Sequence, residues 1–228
     1  MRWPLGFARV LWNRLPGGPP VHRTETPGGR GDLPAPVPPA HRDDVVQLVA
    51  DGVGTLLHRR YAVVVDGART GPQALMARFA DDPNCAVPEV AVFERTRGEP
   101  GRLEAGDEFV IRMPAPWDGP VRVIDMSPAS FRLATLWGHL EAGQIEFRAS
   151  TRPDGALDVE IESWARPGDA VSHLLYNRLL LAKEIQLTLW TQTLQRLAEL
   201  AGGDLRGGVH VDTRVVGAGH LRGLPPGV

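Results

Sequence analysis

Read for chemistry, the sequence offers few groupings with the spacing that catalysis or metal binding requires. The seven histidines form no HExxH or HxxxH pair, and a single cysteine, Cys85, cannot complete a tetrahedral zinc site, so no metal and no cofactor are assigned. There is no GxSxG turn and no phosphate-cradling loop. The run Gly217-Ala218-Gly219-His220-Leu221-Arg222-Gly223 misses the GxGxxG spacing and follows no βαβ unit. No catalytic residue is therefore assigned. Pro83-Asn84-Cys85 brings no histidine or second thiol near the sulfur, which reads as a small packing residue.

What remains are polar side chains at positions where the hydropathy pattern asks for apolar ones. Arg178, Gln186, Thr193 and Arg196 fall inside the apolar arc of a leucine-rich stretch. A guanidinium or amide taken out of water must be hydrogen-bonded or border a cavity. Arg178 and Gln186 therefore either pin their helix to a sheet or touch a ligand. Thr135, Trp137 and Ser163 share the inward faces of their strands. His139 and Glu141 lie in the Gly138–Gly143 hairpin loop, where His139 either meets a ligand at a cavity mouth or fixes the turn. The candidate ligand-binding set is Thr135, Trp137, His139, Arg178 and Gln186.

These residues need elements to hold them. From Asp169 to Ala201 no Gly or Pro occurs, which predicts one helix of roughly 50 Å. At 100° steps, Val171, Leu174, Leu175, Leu179, Ala182, Ile185, Leu189, Trp190, Leu194, Leu197 and Leu200 cover a broad arc, leaving a narrow solvent stripe. The preceding segments alternate with period two and end in turns, the pattern of an antiparallel meander. Tyr61–Asp66 is followed by a helix with Thr70 as N-cap and Pro72 just inside. Then come Val90–Thr96, Phe109–Met113, Val121–Asp125, Phe131–Trp137, Ile145–Ala149 and Val159–Ser163. One sheet face is largely apolar and the other carries charges of both signs that can pair across strands. The expected class is α+β, a helix-grip fold in which a curved antiparallel sheet wraps around a long C-terminal helix.

A length of 228 residues and 43% hydrophobic content suffice for a packed core, and a net charge of −2 gives no general attraction to nucleic acid. A lone cysteine suits a reducing cytoplasm, the expected location. Four regions are expected. Residues 1–15 form a basic amphipathic segment, with Trp3, Phe7, Leu11 and Leu15 on one side and Arg2, Arg9 and Arg14 for charge; it either lies on a membrane surface as a peripheral contact or docks on its own domain. Residues 16–42 are a Pro/Gly-rich linker or strap, residues 43–201 the helix-grip domain, and residues 202–228 a Gly/Pro-rich tail. In the tail Val209, Val211, Thr213 and Val215 alternate briefly, but the glycines favour a loose end.

The block Phe131-Arg132-Leu133-Ala134-Thr135-Leu136-Trp137-Gly138-His139-Leu140-Glu141-Ala142-Gly143-Gln144-Ile145-Glu146-Phe147, then Ile161-Glu162-Ser163-Trp164-Ala165-Arg166-Pro167 and a helix with Arg178 and Gln186, resembles the START/Bet v 1-like (SRPBCC, helix-grip) superfamily, in an uncharacterised bacterial domain-of-unknown-function branch. The resemblance covers roughly residues 58–201. It implies a cavity between sheet and long helix that holds an apolar or amphipathic small molecule, which is the expected function and partner. Two alternatives stand beside it: a cyclase- or dehydratase-like enzyme using cavity polar groups such as His139, and a protein-interaction module with a filled interior.

Overall fold

The structure, a computed structural model, describes residues 19–113, 118–168 and 180–228, the side chains of 180–185 excepted. In chain order the strands are β1 (Val21–Gly28), β2 (Leu56–Asp66), β3 (Val92–Arg97), β4 (Glu108–Arg112), β5 (Gly119–Ser127), β6 (Ser130–Thr135), β7 (Glu141–Thr151), β8 (Leu157–Pro167) and β9 (Asp204–Val216). Helix α1 (Pro72–Asp81) follows β2, and α2 (Leu180–Ala201) stands between β8 and β9. The strands form one nine-stranded sheet in the order β1-β9-β2-β8-β7-β6-β5-β4-β3.

Strand alternation sets the inner face. Tyr61, Val63 and Val65 of β2, Val159 and Ile161 of β8, Phe147 of β7, Phe131 and Leu133 of β6, and Val209 and Val211 of β9 are all buried in one core. Against them lie Leu75, Met76 and Phe79 of α1 and Leu189, Trp190, Leu194 and Leu197 of α2. Four aromatics interlock there. Phe131 stacks on Phe147 at 4.9 Å between ring centroids, Phe79 meets Phe147 edge-on at 5.2 Å, and Trp190 meets it edge-on at 5.6 Å. Gly71 rather than Thr70 is the N-cap of α1. The amides of Arg69 and Thr70 donate instead to the Ala201 carbonyl at 2.8 and 3.0 Å, satisfying the C-terminal end of α2.

The α+β class is as expected, and three features correct its details. The sheet is mixed, because β1 runs parallel to β9 while every other pair is antiparallel. Helix α2 is not the last element. Of the expected Asp169–Ala201 helix, the described part is the 22 residues of α2, and residues 169–179 lie outside the description, as do 1–18. The expected loose tail contains β9, 13 residues long and seated between β1 and β2. Its glycines do not break it. Gly207 and Gly208, at φ of 74° and 94°, lie where the β2–β9 register shifts between Ala62 and Val64, so they form a bulge and pairing continues on both sides. A side chain at Gly208 would strike the Pro20 carbonyl oxygen at 2.2 Å.

The proline-rich segment is a strap. Its first part is β1, and the rest crosses the outer sheet face. There Val37 and Val46 pack with Ile124, Ala134 and Leu136, and Val49 packs with Leu56, Trp164, Val216 and Leu221. The outer face is thus partly covered rather than uniformly wet. Three buried arginines fasten the strap by donating to its carbonyls: Arg132 to Ala35 at 3.4 Å, Arg122 to His41 at 3.3 Å, and Arg166 to Val49 and Gly54 at 3.2 and 2.8 Å. Where the strap leaves the face open, Arg148 bridges Glu160 and Glu162 at 2.5 Å each. His58 lies between Glu162 at 2.6 Å and Asp32 at 3.3 Å, stacked on Trp164.

Candidate functional site

Register lines up the inner-face side chains in transverse rows. One row runs Arg23, Val211, Tyr61, Ile161, Phe147, Phe131 from β1 to β6. The next runs Glu25, Thr213, Arg59, Ser163, Ile145, Leu133. The aromatic half of these rows is apolar. The half near β2 and β9 is not, and it lies beneath the first described turns of α2.

There Gln186 is the connecting group. Its amide oxygen accepts from Arg59 Nη1 at 3.1 Å, and its amide nitrogen donates to Glu141 Oε2 at 2.6 Å. Arg59 and Glu141 are each only 8% exposed, so the relay from β2 through α2 to the start of β7 is buried. Charge-assisted hydrogen bonds of this kind are strong and geometrically demanding. Tyr61, two residues along β2 from Arg59 on the same face, is fully buried. Burial pushes its phenol upward, with Arg59 and Arg23 acting the other way, so the hydroxyl is a neutral donor. Its proton meets no acceptor among the described residues, and neither does that of the Trp190 indole nitrogen.

The five candidates from the sequence divide. Gln186 is central to this cluster. Thr135 is buried, but its hydroxyl donates to the strap carbonyl of Gln47 at 3.0 Å and accepts from Gly143 N–H at 2.9 Å, closing the β6–β7 turn. Trp137 does not face inward: it is 53% exposed in the loop after β6, its amide bonded to Val45. His139 turns its ring toward Gly119 and accepts from the Glu141 amide at Nδ1, at 2.9 Å. Burial pushes its imidazole down to about 4. It is neutral near pH 7 with its basic lone pair occupied, which does not suit an acid–base catalyst. Arg178 lies outside the described residues. The polar residues Thr193 and Arg196 of α2 are satisfied by backbone carbonyls, Leu189 at 2.8 Å and Val87 at 2.6 Å.

Arg59 and Tyr61 were not singled out from sequence. The signal was an arginine in an otherwise apolar alternation, Leu57, Arg59, Tyr61, Val63, Val65, which becomes visible once β2 is begun at Leu56 rather than Tyr61.

Elsewhere, a cavity of about 120 Å³ opens between α1 and the β5–β6 turn, over Met76, Leu103, Met126 and Phe131. Among the described residues no three His, Cys, Asp or Glu side chains gather as a metal site, and no helix is long and apolar enough to cross a membrane.

Residues 41–197 match the model of a family described as a domain of unknown function, DUF1990. No curated protein matches. Solved structures similar to this chain include a hypothetical protein from Helicobacter pylori, at 10% identity and a TM-score of 0.48, covering 62% of this chain and 86% of that one. A Thalictrum norcoclaurine synthase point mutant in complex with a transition-state analogue matches at 8% identity and a TM-score of 0.46, over 66% and 95% of the two chains. A major latex-like protein from Panax ginseng matches at 10% identity and 0.43, over 64% and 97%.

Proposed function

Because the chain belongs to the DUF1990 family, a domain of unknown function, its role has to be read from its own interior, and we propose that it binds a small amphipathic molecule beneath α2. The observation that carries this reading is the Tyr61 hydroxyl, buried with no acceptor for its proton among the described residues, beside the Arg59–Gln186–Glu141 relay. A buried donor left unmade costs on the order of 1–3 kcal/mol. Such a group is retained where an acceptor arrives from outside the protein. The Trp190 N–H in the same core, also without an acceptor among the described residues, gives the ligand the same polarity: its polar end carries an acceptor oxygen. Its apolar body lies against the core that Val211, Ile161 and Trp190 border. A few convergent polar groups in an apolar interior is the usual composition of such a site.

The test pairs binding with stability. A neutral, environment-sensitive probe such as N-phenyl-1-naphthylamine should bind in the micromolar range, about −8 kcal/mol. Tyr61→Phe should weaken acceptor-bearing competitors without lowering the melting temperature. A variant that destabilises the fold while binding is absent from both proteins would show that Tyr61 is structural.

The interlocked Phe79, Phe131, Phe147 and Trp190 rings favour a second reading, in which the interior is filled and the surface engages a protein. Probe binding in the wild type separates the two.

A further inference from the structure

We propose that β1 is an interaction surface whose partner is a second copy of this chain, paired edge to edge and antiparallel about a two-fold axis through Thr24. The inference stands independently of the binding reading. The nine-stranded sheet ends in β1 on one side and β3 on the other, and the two edges differ. β3 has six residues and shifts register against β4 between Arg95 and Arg97, an irregularity that blunts an edge. β1 pairs with β9 for eight residues in unbroken register, and Val21–Pro27 are all exposed.

The backbone decides which residues can reach a partner. The Val209 N–H donates to the Pro20 carbonyl at 2.9 Å, and in a parallel ladder the backbone groups of every second residue turn toward the neighbouring strand. His22, Thr24 and Thr26 therefore face β9, while Val21, Arg23 and Glu25 turn their N–H and C=O groups outward, with the Pro27 carbonyl beside them. Among the described residues no strand lies beyond them.

An antiparallel copy must match outward residue to outward residue, so the axis passes through a residue. At Arg23 or Glu25 it would set like charges opposite each other, which is destabilising, and at His22 or Thr26 it would shorten the overlap. At Thr24, Arg23 lies opposite the partner's Glu25 and Val21 opposite the partner's Pro27, each pair occurring on both sides of the axis. Arg23 and Glu25 exchange N–H and C=O across the contact, and the Val21 N–H reaches the Pro27 carbonyl; each end loses one bond to the missing proline N–H. Directly opposed side chains share a face about 5 Å apart, so the strand complements itself in charge and in hydropathy. Arg23 has interactions within its own chain. A guanidinium carries five N–H donors, and the pairing adds to those contacts.

Sedimentation equilibrium of the full-length protein tests the pairing. The wild type should move from the single-chain mass of 24.8 kDa toward twice that as its concentration rises from about 10 µM to about 500 µM, the range of a weak, small contact. Arg23→Glu and Glu25→Arg should each weaken self-association about tenfold, because both symmetric pairs become repulsive. Mixed one to one, the two variants should associate as the wild type does, since each then faces its opposite charge. Glu25→Pro removes an outward N–H, leaves the β9 ladder intact, and should give a monomer with an unchanged thermal transition. A wild type that stays at the mass of one chain throughout overturns the proposal. So does self-association that survives Glu25→Pro or either charge reversal, and so do charge-reversed variants whose mixture remains monomeric.

Discussion

The two faces of the sheet bury polar groups in different ways. On the outer face, Arg122, Arg132 and Arg166 spend their donors on strap carbonyls. Among the described residues, the atoms left over there include Arg132 Nε, Arg166 Nε and Gln144 Oε1, on side chains whose other polar atoms are engaged, and also the Gln47 amide oxygen and the Trp164 indole nitrogen. On the inner face Tyr61 has one polar atom, and its proton finds no acceptor among the described residues. A proline-rich segment lacks many backbone N–H donors but keeps every carbonyl, so arginines are the natural partners for it. The outer polar groups answer a need created by the chain itself. On the inner face the Tyr61 hydroxyl and the Trp190 indole answer no such need among the described residues.

The sharpest way to break this contrast is to attack the apolar part of the inner face. Leu194→Asp places a charge at a fully buried position of α2 and should abolish folding, because the cost is several kcal/mol against a total of roughly 5–15. A normal circular dichroism melt would refute the assignment of the core. Truncation after Gly203, which removes β9, should be as severe, since Val209, Val211 and Val216 are buried on it; a soluble, cooperatively melting product would return those residues to the status of a tail.

Deletion of residues 1–40 takes away the β1 ladder on β9 and, on the outer face, the packing of Leu33 and Val37 and the Ala35 carbonyl. A folded protein destabilised by about 3 kcal/mol is expected, a fall in Tm of about 6–12 °C. No change would mean that the strap contributes nothing. His139, at the end where strap and hairpin meet, gives a pH signature. Its folded value of about 4 lies below the ordinary 6.5, so the unfolded chain binds the proton first. Stability is therefore complete above about pH 6.5 and declines as pH falls toward 4, by up to about 3 kcal/mol. Urea titrations should show a steeper fall in the wild type than in His139→Gln, where only the carboxylates held down in the fold, such as Asp32 and Glu162, still contribute.

The smallest effects belong to the polar cluster. Gln186→Leu removes the bridge and leaves Arg59 Nη1 and Glu141 Oε2 without the amide, and should cost about 1–3 kcal/mol in chemical denaturation. Tyr61→Phe should change stability by less than about 0.5 kcal/mol or raise it, because the lost proton had no acceptor. If Tyr61→Phe cost more than Gln186→Leu, the contrast between the two faces would fall.

The parts of the molecule legible in the sequence are those governed by a single local rule. The alternation of β4 to β8 and the apolar arc of α2 follow from burial on one face, and both are present. The strap's packing was not legible, because PPII-like chain carries no periodic signal and its partners, such as Ile124 and Ala134, lie far away along the chain. β9 was misjudged because Gly207 and Gly208 suit a loose end and a bulge equally, and only the neighbouring strands decide. Of the site, Gln186 was readable as a polar residue on an apolar arc. Arg59 was not, since the strand was begun two residues too late to show which way it points, and Trp137 was placed on a strand that ends before it.

The parallel pairing of β1 with β9 also has a temporal side. Thr24 and its partner Asp212 are 188 residues apart, and β9 separates β1 from β2 in the sheet. At about 5–20 residues per second, a ribosome needs about 10–40 s after finishing β1 to deliver β9. Throughout that interval β1 and one edge of β2 have no strand to pair with, and the row carrying Tyr61 is incomplete. The nascent chain must hold those two segments soluble, and the proposed binding site comes into being only as the final strand slots between them.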